Sequence, residues 1–235
     1  MICLIKQPAG IGDIFFCQKI GKYYFDRGYE IVWPVNPEIL WVKDYINNVK
    51  FYSIEDDFPG KEYYDNVGFY ESPEFVFIDL LDADRTHNDG KIMSSKYSMV
   101  NMDHNDWQDY FNFNRNIERE DILYHEVLGL RDNSNYILVN KYYSTPPNIQ
   151  EYDKIKIDNK ESLDIIEMKI IEGFTLFDWI KVIENANEIY TINTAINYII
   201  DKLNLKSKKN ILYAHNNNNL QQIDFLFKTK YIMSE

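Results

Sequence analysis

Cysteine is nearly absent from this chain of 235 residues, which contains only Cys3 and Cys17. Two cysteines cannot form the disulfide framework of a small secreted protein, and neither lies at a spacing typical of a zinc site. The N-terminal apolar run is too short for a signal peptide, and no segment approaches the roughly 18 apolar residues of a membrane-spanning helix. We therefore expect reduced thiols and a soluble, cytoplasmic protein without a membrane span.

Basic residues are also in short supply. The chain has 25 Lys and Arg against 37 Asp and Glu, which leaves a formal charge of −12. Proteins that bind the phosphate backbone of nucleic acids need a cationic surface, so this balance argues against nucleic acid as the main partner. The hydrophobic content of 45% is sufficient for a core, and the length accommodates one large or two small domains.

Alternating strand and helix patterns run through both halves of the chain. A strand, a turn, a helix and a second strand within about 30 residues form a βαβ unit, which implies parallel strand pairing. Predicted strands cover 2–6, 30–34, 49–53, 75–80, 136–140, 188–192 and 211–214, with a hairpin or strand pair over 154–157 and 163–170. Predicted helices cover 14–27, 37–47, 117–128, 175–186 and 194–203.

The pattern predicts an α/β protein made of two Rossmann-like domains. The segment 82–116 breaks the alternation, and a polar stretch near 130–135 separates the two halves. We therefore predict an N-terminal domain over 1–132 and a C-terminal domain over 133–235.

The first candidate site is the segment Gly10-Ile-Gly-Asp13, between the first strand and the first helix. Glycines allow a close backbone approach to a ligand, and the start of a helix favours an anion or a polar oxygen. The segment is neither GxGxxG, because residue 15 is Phe, nor a P-loop, because it lacks the lysine. Asp13 is either the N-cap of the helix or a general base.

The second candidate site follows the predicted strand 188–192. Ligands of open α/β sheets bind at the carboxyl ends of strands, so Thr191, Asn193 and Thr194 are placed to bind a diphosphate together with helix N–H groups. In the alternative interpretation, Asn193 or Thr194 only caps the helix.

These two segments resemble the heptosyltransferases, glycosyltransferase family 9. A Gly-Asp pair follows the first strand in that family, as Gly12-Asp13 does here. The helix over 175–186, the strand after it and the turn Thr191-Ile-Asn-Thr-Ala195 are similar to the family's C-terminal helix, strand and Asp-Thr/Ser-Gly turn. The turn differs at Asn193, Ala195 and Tyr198, where the family has Asp, Gly and often His. The resemblance covers about a quarter of the chain.

The resemblance implies two Rossmann-like domains facing across a cleft, the GT-B architecture, with an N-terminal acceptor-side domain and a C-terminal nucleotide-sugar-binding domain. It also implies metal-independent sugar transfer, with a nucleotide sugar as substrate and no cofactor. Asp13 matches the base that deprotonates the acceptor. The donor-binding residues are then Gly12, Lys141, Asn193, Thr194 and Ala195, with Lys141 as counterion of the diphosphate.

Other residues are weaker candidates. Hydroxyls of Ser144 and Thr145 could contact the donor, although a loop rigidified by two prolines explains the same residues. His104 and Trp107 could bind the acceptor sugar, although a buried Trp anchor under a surface loop explains them equally. A divalent ion could bind at Asp79, Asp82 and Asp84, although a solvated turn is favoured. The scattered His87, His104, His125 and His215 predict no metal site.

Three functions follow from these observations. The first is a glycosyltransferase that moves a sugar from a nucleotide sugar to a hydroxyl of a glycan, glycoconjugate or small molecule. The second is a non-catalytic nucleotide- or glycan-binding protein derived from such an enzyme, which the departures at Asn193 and Ala195 fit. The third is a different nucleotide-dependent enzyme.

Overall fold

The computed structural model describes residues 1–86, 92–144, 148–214 and 226–234, with the side chains of 84–86 and 92 left out. The chain divides into two compact units. The first unit includes Met1–Asn114, and the second consists of Arg115–Ser144 and Asn148–Glu235. Each unit contains one five-stranded sheet. None of the helices in these ranges is long and apolar enough to cross a membrane.

The first unit is built on a mainly parallel sheet in the order β3-β2-β1-β5-β4. Cys3, Leu4 and Ile5 of the central strand are fully buried, as expected for a parallel strand that helices cover on both faces. The strand β4 was not predicted, and it pairs antiparallel with β5 at the edge. The strands are β1 (Ile2–Lys6), β2 (Glu30–Val35), β3 (Lys50–Ser53), β4 (Phe69–Glu71) and β5 (Phe75–Asp79).

The two helices predicted in the first unit, 14–27 and 37–47, have other bounds in the structure, and the second is a 3₁₀ helix over Pro37–Asp44. The helix expected over 14–27 begins at Ile11 and is divided at Cys17, and Gly28 follows it with a φ of 85°. The helices are α1 (Ile11–Phe16), α2 (Gln18–Phe25), α3 (Leu80–Thr86), α4 (Ile92–Ser98) and α5 (Trp107–Tyr110), with 3₁₀ turns at Pro37–Asp44 and Lys61–Tyr63.

The second unit has an entirely parallel sheet in the order β12-β11-β10-β6-β9. Its strands are β6 (Tyr136–Asn140), β9 (Asp164–Glu167), β10 (Glu188–Ile192), β11 (Lys209–Tyr213) and β12 (Ile232–Ser234). A separate two-stranded ribbon pairs β7 (Tyr142–Tyr143) with β8 (Gln150–Glu151).

The hairpin or strand pair predicted over 154–157 and 163–170 is wrong, although the segment 163–170 contains the strand β9. β9 pairs in parallel with β6, and 154–157 forms no strand. The Tyr213 hydroxyl bonds with the backbone N and O of Lys156, at 3.2 and 2.9 Å, and the Tyr190 hydroxyl accepts from the N–H of Asp158 at 3.2 Å. Side-chain hydroxyls therefore form some of the backbone hydrogen bonds that a partner strand would have formed in a hairpin.

Three helical segments lie among the described residues of the second unit. They are α6 (Ile117–Asp121), which continues as a π-helix over Ile122–Val127, α7 (Ile180–Asn185), which follows a 3₁₀ turn over Leu176–Trp179, and α8 (Ile196–Ile200). Thr175 caps the 3₁₀ turn, and Asp178 Oδ2 accepts from Thr175 N at 2.6 Å and from Thr175 Oγ1 at 3.0 Å. Trp179 in the same turn is buried.

The boundary between the units lies between Asn114 and Arg115, earlier than the predicted 130–135. Arg115 donates to Glu120 at 2.9 Å and to Glu184 at 3.0 Å, and Arg119 donates to Asp178 at 2.9 Å. These charged hydrogen bonds attach α6 to α7 and to the turn before it. The segment 115–132, assigned from sequence to the first domain, therefore belongs to the second unit.

Candidate functional site

In each sheet there are two neighbouring strands whose connections to the next strand run toward opposite edges of the sheet. Such a position is a topological switch point. In the first unit this switch point lies between β1 and β5, and in the second between β6 and β10. Ligands of open α/β sheets bind at the carboxyl ends of the strands at such points. Both candidate segments from the sequence follow these strands.

Asp13 is the third residue of α1, after the carboxyl end of β1. Gly10, not Asp13, occupies the N-cap position, with a left-handed φ of 80°, so the N-cap interpretation of Asp13 is wrong. The Asp13 side chain is 26% exposed, and its Oδ1 lies 3.3 Å from Lys96 Nζ. The structure therefore leaves Asp13 partly accessible and paired with a cation.

Gly10 is required at its position for two reasons. Its positive φ disfavours residues with a Cβ. A Cβ at residue 10 would also collide with Asp13 Oδ2 and lie 3.4 Å from Gln7 Nε2. The glycine at residue 10 therefore leaves space for the Asp13 carboxylate. Gly12, the predicted donor contact, is the second residue of α1 and is half-buried.

Lys96, from α4, is a site residue that the sequence did not reveal. Its side chain is fully buried, and Nζ donates to Gln7 Oε1 at 2.9 Å and to the Leu80 carbonyl at 3.1 Å. A buried ammonium is costly unless it is compensated, and the Asp13 carboxylate supplies the opposite charge. Lys96 lies in the segment 82–116, which breaks the alternation of strand and helix patterns, so no local signal marked it.

A second ion pair lies at the same edge of this sheet. Lys6 and Asp79 are paired across β1 and β5, and Lys6 Nζ lies 3.3 Å from the fully buried Asp79 Oδ2. Asp79 Oδ1 also accepts from Leu81 N at 3.1 Å at the start of α3. The solvated turn favoured for these aspartates is therefore wrong at Asp79 and Asp82, because Asp79 is buried and the helix α3 begins at Leu80.

The predicted acceptor residues lie in two different environments. Trp107 is 1% exposed and packs edge-on against Phe16, so it cannot stack on a sugar, and the buried-anchor interpretation is correct. His104 is half-buried, with its ring 6.1 Å from those of Phe16 and Tyr97. His104 therefore stays a prediction as an acceptor contact.

In the second unit, Asn140 joins the ends of the two strands at the switch point. Its Nδ2 donates to Thr191 Oγ1 and to Thr194 Oγ1, both at 3.1 Å. Asn140 and Thr191 are buried. The rule that selected Thr191 and Asn193, polar residues at the carboxyl end of a strand, applies equally to Asn140 and would have found it.

Backbone groups of the predicted phosphate turn are bonded within the unit. Asn193 N donates to the Tyr213 carbonyl at 3.1 Å, and Thr194 N donates to Asn197 Oδ1 at 2.8 Å. Ala195 is the N-cap of the five-residue helix α8. The turn therefore has two fewer N–H groups available for a phosphate than the sequence suggested.

Lys141, the predicted counterion of the diphosphate, already contacts two carboxylates. Its Nζ lies 2.6 Å from Glu151 Oε1 and 3.0 Å from Glu167 Oε2, and these hydrogen bonds raise the pKa of the lysine. Ser144 is exposed with a left-handed φ of 73°. Thr145, His87 and His215 lie outside the described residues, as does the Asp84 side chain.

No cluster of three or more His, Cys, Asp or Glu side chains with metal-binding geometry occurs in the part of the chain that the structure describes. Metal independence itself stays a prediction.

Comparison with solved structures finds a similar fold. The crystal structure of the glycosyl transferase family 9 from Veillonella parvula DSM 2008 is similar to this chain with a TM-score of 0.56. The match covers 99% of this chain and 86% of that one, at 9% sequence identity. The fold is glycosyltransferase family 9-like. No protein-family model and no curated protein matches the sequence. The likeness to a family 9 structure therefore rests on the fold and not on the sequence.

Proposed function

We propose that the protein is a glycosyltransferase that moves a sugar from a nucleotide-sugar donor to a hydroxyl of a glycan, glycoconjugate or small-molecule acceptor. The observation that carries this proposal is the similarity to a family 9 glycosyl transferase structure over 99% of the chain. The partly exposed Asp13 at the switch point of the first unit supports it.

Asp13 is the proposed general base. As the acceptor oxygen attacks the anomeric carbon of the donor sugar, its proton passes to the Asp13 carboxylate. The bond between the anomeric carbon and the diphosphate breaks, and a nucleoside diphosphate leaves with the electron pair. Lys96 and Gly10 are positioning residues, since Lys96 compensates the carboxylate and Gly10 leaves space for it.

The donor is proposed to bind at the switch point of the second unit. Thr191, Asn193, Thr194 and Ala195 remain the proposed contacts, with Asn140 as the residue that orients the two threonine hydroxyls. Lys141 contributes only if the diphosphate replaces one of its carboxylate partners. No metal is part of the proposed reaction.

The second candidate function is a nucleotide- or glycan-binding protein without transfer activity. The observation that favours it is the internal bonding of the phosphate turn, where the N–H groups of Asn193 and Thr194 have partners within the unit. A turn closed in this way suits weak binding better than stabilisation of a departing diphosphate.

Thermal unfolding with nucleotides tests both candidates. ADP, UDP, GDP and their sugar conjugates, each with and without EDTA, are expected to include one that raises the melting temperature, because a ligand of the native state stabilises it by linkage. Stabilisation that survives EDTA, followed by release of nucleoside diphosphate with an acceptor panel, supports the transferase. Binding without release supports the second candidate, and no stabilisation by any of these compounds contradicts the transferase and leaves glycan binding as the only form of the second candidate.

A further inference from the structure

The first unit contains a cavity that the proposed reaction does not use. Its volume is about 280 Å³, and its lining includes Gln18, Lys22, Asn47 and Asn48. Asn47 and Asn48 lead into the amino end of β3, whereas Asp13 follows the carboxyl end of β1, and the strands between them are parallel. The cavity, which we call the α2 pocket, is therefore a site distinct from the Asp13 turn.

Side-chain amides dominate the lining of the α2 pocket. Gln18 is 5% exposed, and its Nε2 donates to the Ile14 carbonyl at 2.9 Å, while its Oε1 accepts no hydrogen bond from any described residue. The side-chain amides of Asn47, Asn48 and Asn114 likewise make no hydrogen bond within the described ranges. Each amide offers both a donor and an acceptor, the combination that a hydroxyl group requires.

Two aromatic rings complete the lining. Tyr110 is 36% exposed, and Phe113 is half-buried with its ring 5.2 Å from that of Phe111. The face of an aromatic ring is apolar and carries partial negative charge, so it attracts the C–H edge of a flat ligand. A ligand of the α2 pocket therefore has hydroxyls on its rim and C–H groups on one face.

The charge of the pocket disfavours anionic ligands. Lys22 is the one basic residue in the lining and Asp109 the one acidic residue, and Lys22 also forms an ion pair with Asp26 on the same helix. A phosphate or nucleotide site needs an excess of cations, which this lining does not provide. An acyl chain is disfavoured as well, because Val49 is the one aliphatic side chain among the lining residues.

We propose that the α2 pocket binds a neutral saccharide of one or two rings, separately from the transfer reaction. The volume lies just below the range of about 300–1,000 Å³ that is typical of drug-sized ligands. Uncommitted amides, an exposed tyrosine ring and a balanced charge together match the chemistry of an uncharged sugar. The proposal does not depend on Asp13 or on the nucleotide donor.

Calorimetric titration with methyl α-glucopyranoside, N-acetylglucosamine, lactose and maltose tests this proposal on the full chain. We expect at least one of them to bind with a millimolar or lower Kd. Tyr110→Ala and Asn47→Ala are expected to weaken that binding about tenfold each, equivalent to about 1.4 kcal/mol. Both side chains are exposed, so neither substitution disturbs the core.

Three controls make the result specific. Tyr70→Ala and Asn133→Ala replace exposed residues outside the pocket and are expected to leave the Kd unchanged. Asp13→Asn is also expected to leave saccharide binding unchanged, which separates this proposal from the transferase. Absence of binding by all four sugars, equal loss in the control variants, or displacement of the bound sugar by UDP would each overturn it.

Discussion

The two units place different chemistry at equivalent points of their sheets. At the switch point of the first unit a carboxylate stays partly exposed, held by the buried ammonium of Lys96. At the switch point of the second unit Asn140 bonds two threonine hydroxyls, and the turn beyond them is bonded internally. Parallel topology thus brings polar groups together in both units, with a partly exposed carboxylate at the switch point of the first and hydrogen-bonded neutral side chains at that of the second.

The largest expected effect comes from removing that charge. Asp13→Asn keeps the size of the side chain but cannot accept the acceptor proton, so we expect transfer to fall by about 10²–10⁴-fold. Nucleotide binding is expected to stay as in the unaltered protein. Turnover and the nucleotide-induced shift in melting temperature measure the two properties separately.

The matched control for this variant is Asp57→Asn, which changes a fully exposed aspartate of the same unit. If Asp13→Asn turns over at the rate of this control, Asp13 is not the base, and the contrast between the two units loses its catalytic meaning.

A smaller effect is expected from removing the cation. Lys96→Met leaves Asp13 without its buried partner and removes the donor to Gln7 Oε1 and the Leu80 carbonyl. We expect a loss of about 1–3 kcal/mol in the free energy of unfolding, because buried acceptors lose their hydrogen bonds. Chemical denaturation measures it, with the exposed Lys43→Met as control. Equal stability of the two variants would show that the ion pair between Lys96 and Asp13 does not stabilise the fold.

The smallest effect is expected in the second unit. Asn140→Ala removes both hydrogen bonds to the threonine hydroxyls, which we expect to cost about 1–2 kcal/mol of stability. If the donor binds at this point, nucleotide affinity falls as well, whereas Asn133→Ala, an exposed position, leaves it unchanged. A nucleotide affinity unaffected by Asn140→Ala would argue that the donor contacts lie elsewhere.

The strands were the most predictable part of the fold. β1, β6 and β10 have the bounds that the sequence indicates, because short buried apolar runs leave little alternative. The pairing of β9 was not predictable, because a four-residue strand carries no information about which neighbour it will join. The sequence also did not reveal the break between α1 and α2 at Cys17, because the apolar pattern continues through this residue.

The site was predictable only where its residues adjoin a strand. Asp13 and Thr191 follow directly from the rule about carboxyl ends of strands. Lys96 does not follow from this rule, because it contacts Gln7, which lies 89 residues earlier in the sequence. The burial of Trp107 was also not predictable, because it depends on contact with Phe16 of α1, which is distant in the sequence.

The position of Trp179 has a practical consequence for separating the two units experimentally. Of the four tryptophans in the sequence, Trp33, Trp41 and Trp107 belong to the first unit, and Trp179 belongs to the second. Trp179 is 2% exposed, so its fluorescence will shift to longer wavelength when its surroundings open to water. A chain in which the other three are replaced by Phe therefore carries a single optical reporter for unfolding of the second unit.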